Sequence, residues 1–309
     1  MFFMKHAPAV DRAALRVLLL SAFAAASIGM PSPAGAQHPM EVQRLSAEGD
    51  HLKALVVFEL LPRRILTTDS RIAAAKSAWA LGLNNKASDL FDAILRDQSL
   101  SADTRARLTL SRGILEFQEE RYSEAALFAE KSISLLVAAS PLRGRAYLLW
   151  GQSLSKERAF AAAEEKFLLA LSDAAPADKA EVCFALGSVE VKLGKYPDAE
   201  RHLKAIPTDH ERAPATVRLL ATIALDTHQE DRARFWIEKG RSDYPDAFLD
   251  SWGDYGLMQI ELSRGELPSA RKLLQGAQKQ FPASDPWLVL MQAALEDAEW
   301  KQAQEGSRP

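Results

Sequence analysis

The sequence predicts an all-α protein, a solenoid of about seven helix hairpins closed by a C-terminal capping helix. Three observations predict it. A short phrase, clearest as Gly194-Lys195-Tyr196-Pro197-Asp198-Ala199, recurs with its last alanine at Ala54, Ala87, Ala125, Ala163, Ala199, Ala233 and Ala270. The steps are 33, 38, 38, 36, 34 and 37 residues, a period typical of stacked helical hairpins. Apolar residues recur at three and four while β-branched runs are scarce, which favours helix throughout. Glycines and small residues then stand in phase with the marker alanines.

In chain order, residues 1–36 have the pattern of an export signal. Lys5, Arg12 and Arg16 form a basic front, residues 17–28 an apolar run, and Ala34-Gly35-Ala36 a small-residue cleavage site. Cleavage is expected after Ala36, with a periplasmic or otherwise exported product. The apolar run is shorter than the roughly 20 residues that a membrane span needs. The repeat array is expected over residues 37–282, the capping helix over 283–301 and a disordered polar tail over 302–309.

Within the array, each unit begins its turn five residues before the marker alanine. Gly49, Gly82, Gly194 and Gly265 hold that place, where glycine tolerates the left-handed backbone that ends a helix. Twelve residues before the marker stand Gly113, Gly151 and Gly187, with Ala75, Ala221 and Met258 in the other units. A glycine inside a helix costs about 1 kcal/mol against alanine, so close approach of two helices must offset it. Four residues after the marker come Phe58, Phe91, Phe167, Leu203, Ile237 and Leu274, with Ala129 the exception. Tyr122, Phe160 and Tyr196 precede it by three. Pro62, Pro176, Pro207, Pro245 and Pro282 stop the second helices. In the capping helix, Leu288, Met291, Leu295 and Ala298 would cover the last apolar face.

These positions resemble the tetratricopeptide repeat. The best matching unit has Tyr147, Trp150-Gly151, Phe160, Ala163, Phe167, Ala170 and Pro176; the next has Leu186-Gly187, Gly194, Tyr196, Ala199 and Leu203. The unit at Ala54 is degenerate. The resemblance covers about residues 41–282 and implies a right-handed superhelix that binds a partner peptide or helix along its first helices. Exposed first-helix positions would then form the partner-binding groove: Arg107, Leu110, Ile114 and Phe117; Arg145, Leu148, Gln152 and Lys156; Phe184, Ser188 and Lys192; Arg218 and Thr222; Trp252, Tyr255 and Gln259. Arg107, Arg145, Lys156, Lys192 and Arg218 outnumber the acids Glu181 and Asp226 on this face, which suggests a partner segment with negative charge.

Composition narrows the function further. Without residues 1–36 the chain has 273 residues and a formal charge of −5, against general nucleic-acid binding. The single cysteine, Cys183, sits among apolar residues and reads as core. No phosphate loop, nucleophile elbow, zinc-protease motif or paired cysteine motif is present. The expectation is a non-enzymatic protein-interaction scaffold of the bacterial cell envelope, without cofactor or metal, assisting assembly of an envelope or secretion machine. The alternative is a glycan-binding module in exopolysaccharide export or cell-wall processes, stacking sugars on Trp252, Tyr255 and Phe117.

Overall fold

The computed structural model describes residues 38–137 and 140–305. The expected export signal lies outside the described residues. Among them are fifteen α-helices and no strand. The chain divides between Ala138 and Ala139 into two compact units.

The first unit contains three hairpins: α1 (Pro39–Ala47) with α2 (His51–Leu60), α3 (Thr68–Ala80) with α4 (Asn84–Leu95), and α5 (Ala102–Gln118) with α6 (Tyr122–Ser134). The second contains four: α7 (Pro141–Lys156) with α8 (Phe160–Asp173), α9 (Lys179–Lys192) with α10 (Tyr196–Lys204), α11 (Ala213–Asp226) with α12 (Glu230–Asp243), and α13 (Trp252–Ser263) with α14 (Leu267–Gln280). Helix α15 (Pro286–Glu305) follows and packs on α13 and α14. It buries Leu288, Met291 and Leu295 there. Gln302 and its neighbours up to Glu305 are helical rather than part of a disordered tail. Gln, Ala and Glu are good helix formers, and the Lys301–Asp297 pair at 2.6 Å supports that turn.

The turn inside every hairpin is built from backbone. The residue five before the marker alanine has positive φ in all seven: 82°, 71°, 71° and 75° at Gly49, Gly82, Gly194 and Gly265, and 61°, 64° and 54° at Glu120, Arg158 and His228. The next N–H reaches back to the carbonyl five residues earlier, as in Asp50 to Leu45, Arg121 to Glu116, Lys195 to Glu190 and Glu266 to Glu261, each at 2.9 Å. This is the reciprocal C-terminal cap that a left-handed residue permits. The second helix begins three residues before the marker every time. No side chain caps these second helices.

Packing explains the marker. All seven alanines are fully buried. The small residue of the first helix receives the large residue of the second. A Cβ on Gly151 would stand 2.5 Å from the Phe167 ring, and one on Gly187 would stand 2.7 Å from Leu203. These distances forbid any larger side chain without movement. Cys183 is buried, and burial pushes its thiol pKa up, in keeping with a core role.

Nine residues before the marker, two hairpins bury a glutamate. Glu116 in the first unit is clamped by Arg112 and Arg121. Glu190 in the second meets His202 Nδ1 at 2.8 Å. Burial pushes the Glu190 carboxyl up, and the His202 hydrogen bond only partly offsets it. Each pair ties its hairpin together.

Candidate functional site

Within the second unit, successive first helices touch: α7 with α9, α9 with α11, α11 with α13 and α13 with α15. Successive second helices make at most marginal contact. The first helices therefore line the inner side of this unit's bend, and their outward-turned positions form its candidate binding face. Twelve of the sixteen predicted groove residues belong to this unit; Arg107, Leu110, Ile114 and Phe117 lie on α5 in the first.

Two of the sixteen are not on a surface. Leu110 is 4 % and Trp252 6 % exposed. Leu110 joins the packing of α5. Trp252 lies edge-on to Phe248, and the Arg218 guanidinium covers it at 4.9 Å. Neither ring face of Trp252 is free to stack on a sugar. Phe117 packs edge-on against Tyr122, with ring centroids 5.3 Å apart. Leu148, Gln152, Phe184, Ser188, Arg218, Thr222, Tyr255 and Gln259 are half-buried, and Lys156, Lys192, Arg107 and Arg145 are exposed.

The expected basic excess is largely cancelled by partners one repeat away. Arg145 meets Asp178 at 2.8 Å, Arg212 meets Glu181 at 2.7 Å and Arg218 meets Asp250 at 2.9 Å. Arg107 is paired with Asp103 on its own helix. Among the five basic groove residues only Lys156 and Lys192 have no carboxylate within 4 Å among the described residues. The same guanidinia roof the aromatic rings of this face: Arg212 stands 5.0 Å over Phe184, and Arg218 stands 4.6 Å over Phe248. Arg212, Asp178 and Asp250 are not among the positions that the sequence reading picks out. Opposite charges one period apart were the signal that could have found them.

At the other end of the face, α11, α13 and α15 enclose a pocket of about 330 Å³. Thr222 and Asp226 come from α11, Trp252, Tyr255, Gln259 and Ser263 from α13, and Trp287 from α15; His228 closes it from the α11–α12 turn and Glu230 from the start of α12. The volume is at the lower end for small-ligand sites. Tyr255 and Trp287 stand with centroids 5.4 Å apart and planes tilted by 38°. Thr222 donates its hydroxyl to the Arg218 carbonyl at 2.9 Å, a bond back into its own helix. Among the described residues Asp226 accepts only from the Tyr196 hydroxyl, at 3.2 Å, and burial together with that carboxylate raises the Tyr196 pKa. Glu230 is instead occupied by Ser263 and Arg264, whose hydrogen bonds hold its carboxyl below the usual range.

Asp285 sets the position of Trp287. Its buried carboxylate accepts from the Ser251 N–H at 2.9 Å, the Ser251 hydroxyl at 3.0 Å and the Trp287 N–H at 2.9 Å. Burial alone would raise its pKa, but these donors outweigh it and hold the carboxyl below the ordinary range. The start of α13 is thereby fastened to the start of α15.

No family model matches this sequence, and no curated protein is significantly similar to it. Solved structures are similar in fold. PilF of Pseudomonas aeruginosa superposes with a TM-score of 0.54 at 17 % identity, over 74 % of this chain and 95 % of that one. A tetratricopeptide repeat protein from Parabacteroides merdae gives 0.59 at 13 % identity, over 76 % and 88 %. PilW, described as a widely conserved type IV pilus biogenesis factor, gives 0.58 at 17 % identity, over 72 % and 97 %. The chain has the tetratricopeptide-repeat fold.

Proposed function

We propose that this repeat array is a non-enzymatic scaffold that holds a segment of a partner protein along the first helices of its second unit. The observation that carries the proposal is the inner face itself. Its first helices touch in series, and their outward positions hold half-buried Leu148, Gln152, Phe184, Ser188, Tyr255 and Gln259 beside exposed lysines. Such a mixture of apolar, amide and aromatic groups suits a protein segment.

The proposal extends to the cell envelope. The basic, apolar and small-residue succession in residues 1–36 supports export. The fold likeness to PilW, a pilus biogenesis factor, is consistent with a role in assembling an envelope machine.

Photo-crosslinking amino acids placed at Gln152, Ser188 and Gln259, and separately at the exposed second-helix residues Leu168 and Phe235, test both parts in the native host. The expected result is one protein captured from the first-helix positions and not from the second-helix ones, in a chain that begins at Gln37 and is released with the periplasm. Capture only from the second helices would overturn the binding face, and retention of residues 1–36 in the cytoplasm would overturn export.

A further inference from the structure

On the inner face of the second unit the protein supplies its own cation to Phe184, which has Arg212 at 5.0 Å, and to Trp252, which lines the end pocket and has Arg218 at 4.9 Å. The pocket between α11, α13 and α15 has the rings of Tyr255 and Trp287 but no lysine or arginine in its lining. It has in addition a carboxylate, Asp226, that no cation of the described residues approaches within 4 Å. Asp226 is the last residue of α11, so the negative end of that helix dipole points the same way.

We propose that this pocket receives the side chain of a lysine or arginine from the bound partner segment. The inference rests on the scaffold proposal and names the anchor that the partner must bring. A guanidinium or ammonium entering there would lie against Tyr255 and Trp287, pair with Asp226, and find hydrogen-bond acceptors in Gln259 and the Thr222 hydroxyl. The aliphatic stem would run over Leu225 and Ile260, which also line the space. Lining charge argues against an acidic side chain: Asp226 and Glu230 are carboxylates, and no lysine or arginine is in the lining. A partner with local positive charge is the reverse of the partner suggested by the arginines of the sequence, which the repeat-to-repeat ion pairs now neutralise.

The test is selection of random decapeptides displayed on phage against the full chain, followed by affinity measurement of the enriched peptides by fluorescence anisotropy. The expected outcome is enriched peptides that share one Lys or Arg, with norleucine in its place weakening binding about tenfold. Asp226→Asn should weaken those peptides by a similar factor while leaving the melting temperature unchanged, and Tyr255→Ala should weaken them as much with a lower melting temperature, since its ring also packs on the core under α15. Gln259→Lys, which places a cation of the protein itself in the pocket, should block them. Peptides that bind the inner face without a basic residue, or bind Asp226→Asn as well as the wild type, overturn the anchor and leave the scaffold standing. Absence of any binding peptide, with oligosaccharides quenching Trp287 fluorescence, overturns both in favour of a sugar site.

Discussion

The inner face of the second unit is finished differently at its two ends. From α7 to α11 Arg145, Arg212 and Arg218 are each held by a carboxylate one repeat away, and Arg212 and Arg218 cover the aromatic rings beneath them. From α11 to α15 the rings of Tyr255 and Trp287 face a cavity, and among the described residues Asp226 has only a tyrosine hydroxyl. In the first stretch the arginines are paired within the protein, and Lys156 and Lys192 remain exposed for a partner. In the second it is a carboxylate and two rings that lack a cation among the described residues. In an array of similar hairpins, sites arise where a repeat omits a partner that its neighbours provide.

This contrast can be broken most severely through Asp285, which fastens α15 to α13. Asp285→Ala leaves the Ser251 and Trp287 N–H groups unmet and should destabilise the protein by about 3 kcal/mol, read as a lower melting temperature with loss of peptide capture at the open end. The pH dependence of the same group has a fixed sign. Its folded carboxyl lies below its unfolded value, so its stabilisation is full above about pH 4 and is lost as pH falls through the folded value. Acid titration of the melting temperature should show this drop in the wild type and not in Asp285→Asn.

A smaller effect is expected at the covered end. Gly187→Val forces a side chain into Leu203 and should cost about 2 kcal/mol by overpacking, measured by urea denaturation, with the open pocket still binding. Relief of strain goes the other way. Arg158 holds the left-handed turn position at 64°, and Arg158→Gly should gain about 0.5–1 kcal/mol. The equivalent His228→Gly should gain as much but also alter the open pocket, which its imidazole lines. The least change is expected from Arg145→Ala. Its pair with Asp178 is exposed on the arginine side, and such pairs contribute less than about 1 kcal/mol.

The hairpins were legible because their determinants repeat. Alanine at the helix crossing, glycine where Phe167 or Leu203 intrudes, and proline after the second helix each mark one spatial constraint with a restricted residue type. Glu120 and Arg158 are less legible, and His228 legible only as a turn residue, because each adopts the glycine conformation, φ 54–64°, without being glycine. The face was less legible. Helical spacing placed Leu110 and Trp252 outward, but their burial depends on what the neighbouring repeat lays over them: Arg218 and Phe248 for Trp252. Charge was legible as a count and not as a field, since the carboxylates that cancel Arg145 and Arg218 lie about one repeat further along. The open pocket needed Trp287, whose place follows from Asp285 binding to Ser251 across 34 residues.

The turns themselves offer a practical opening. The residue just before each second helix is Asp50, Leu83, Arg121, Ala159, Lys195, Gln229 or Glu266 in nearly one backbone setting, φ between −79° and −93°. Nearly every chemical class is tolerated there. The only native thiol, Cys183, is buried, so a cysteine put in place of exposed Ala159 would accept a dye selectively and give a spectroscopic handle on partner docking without disturbing the stack.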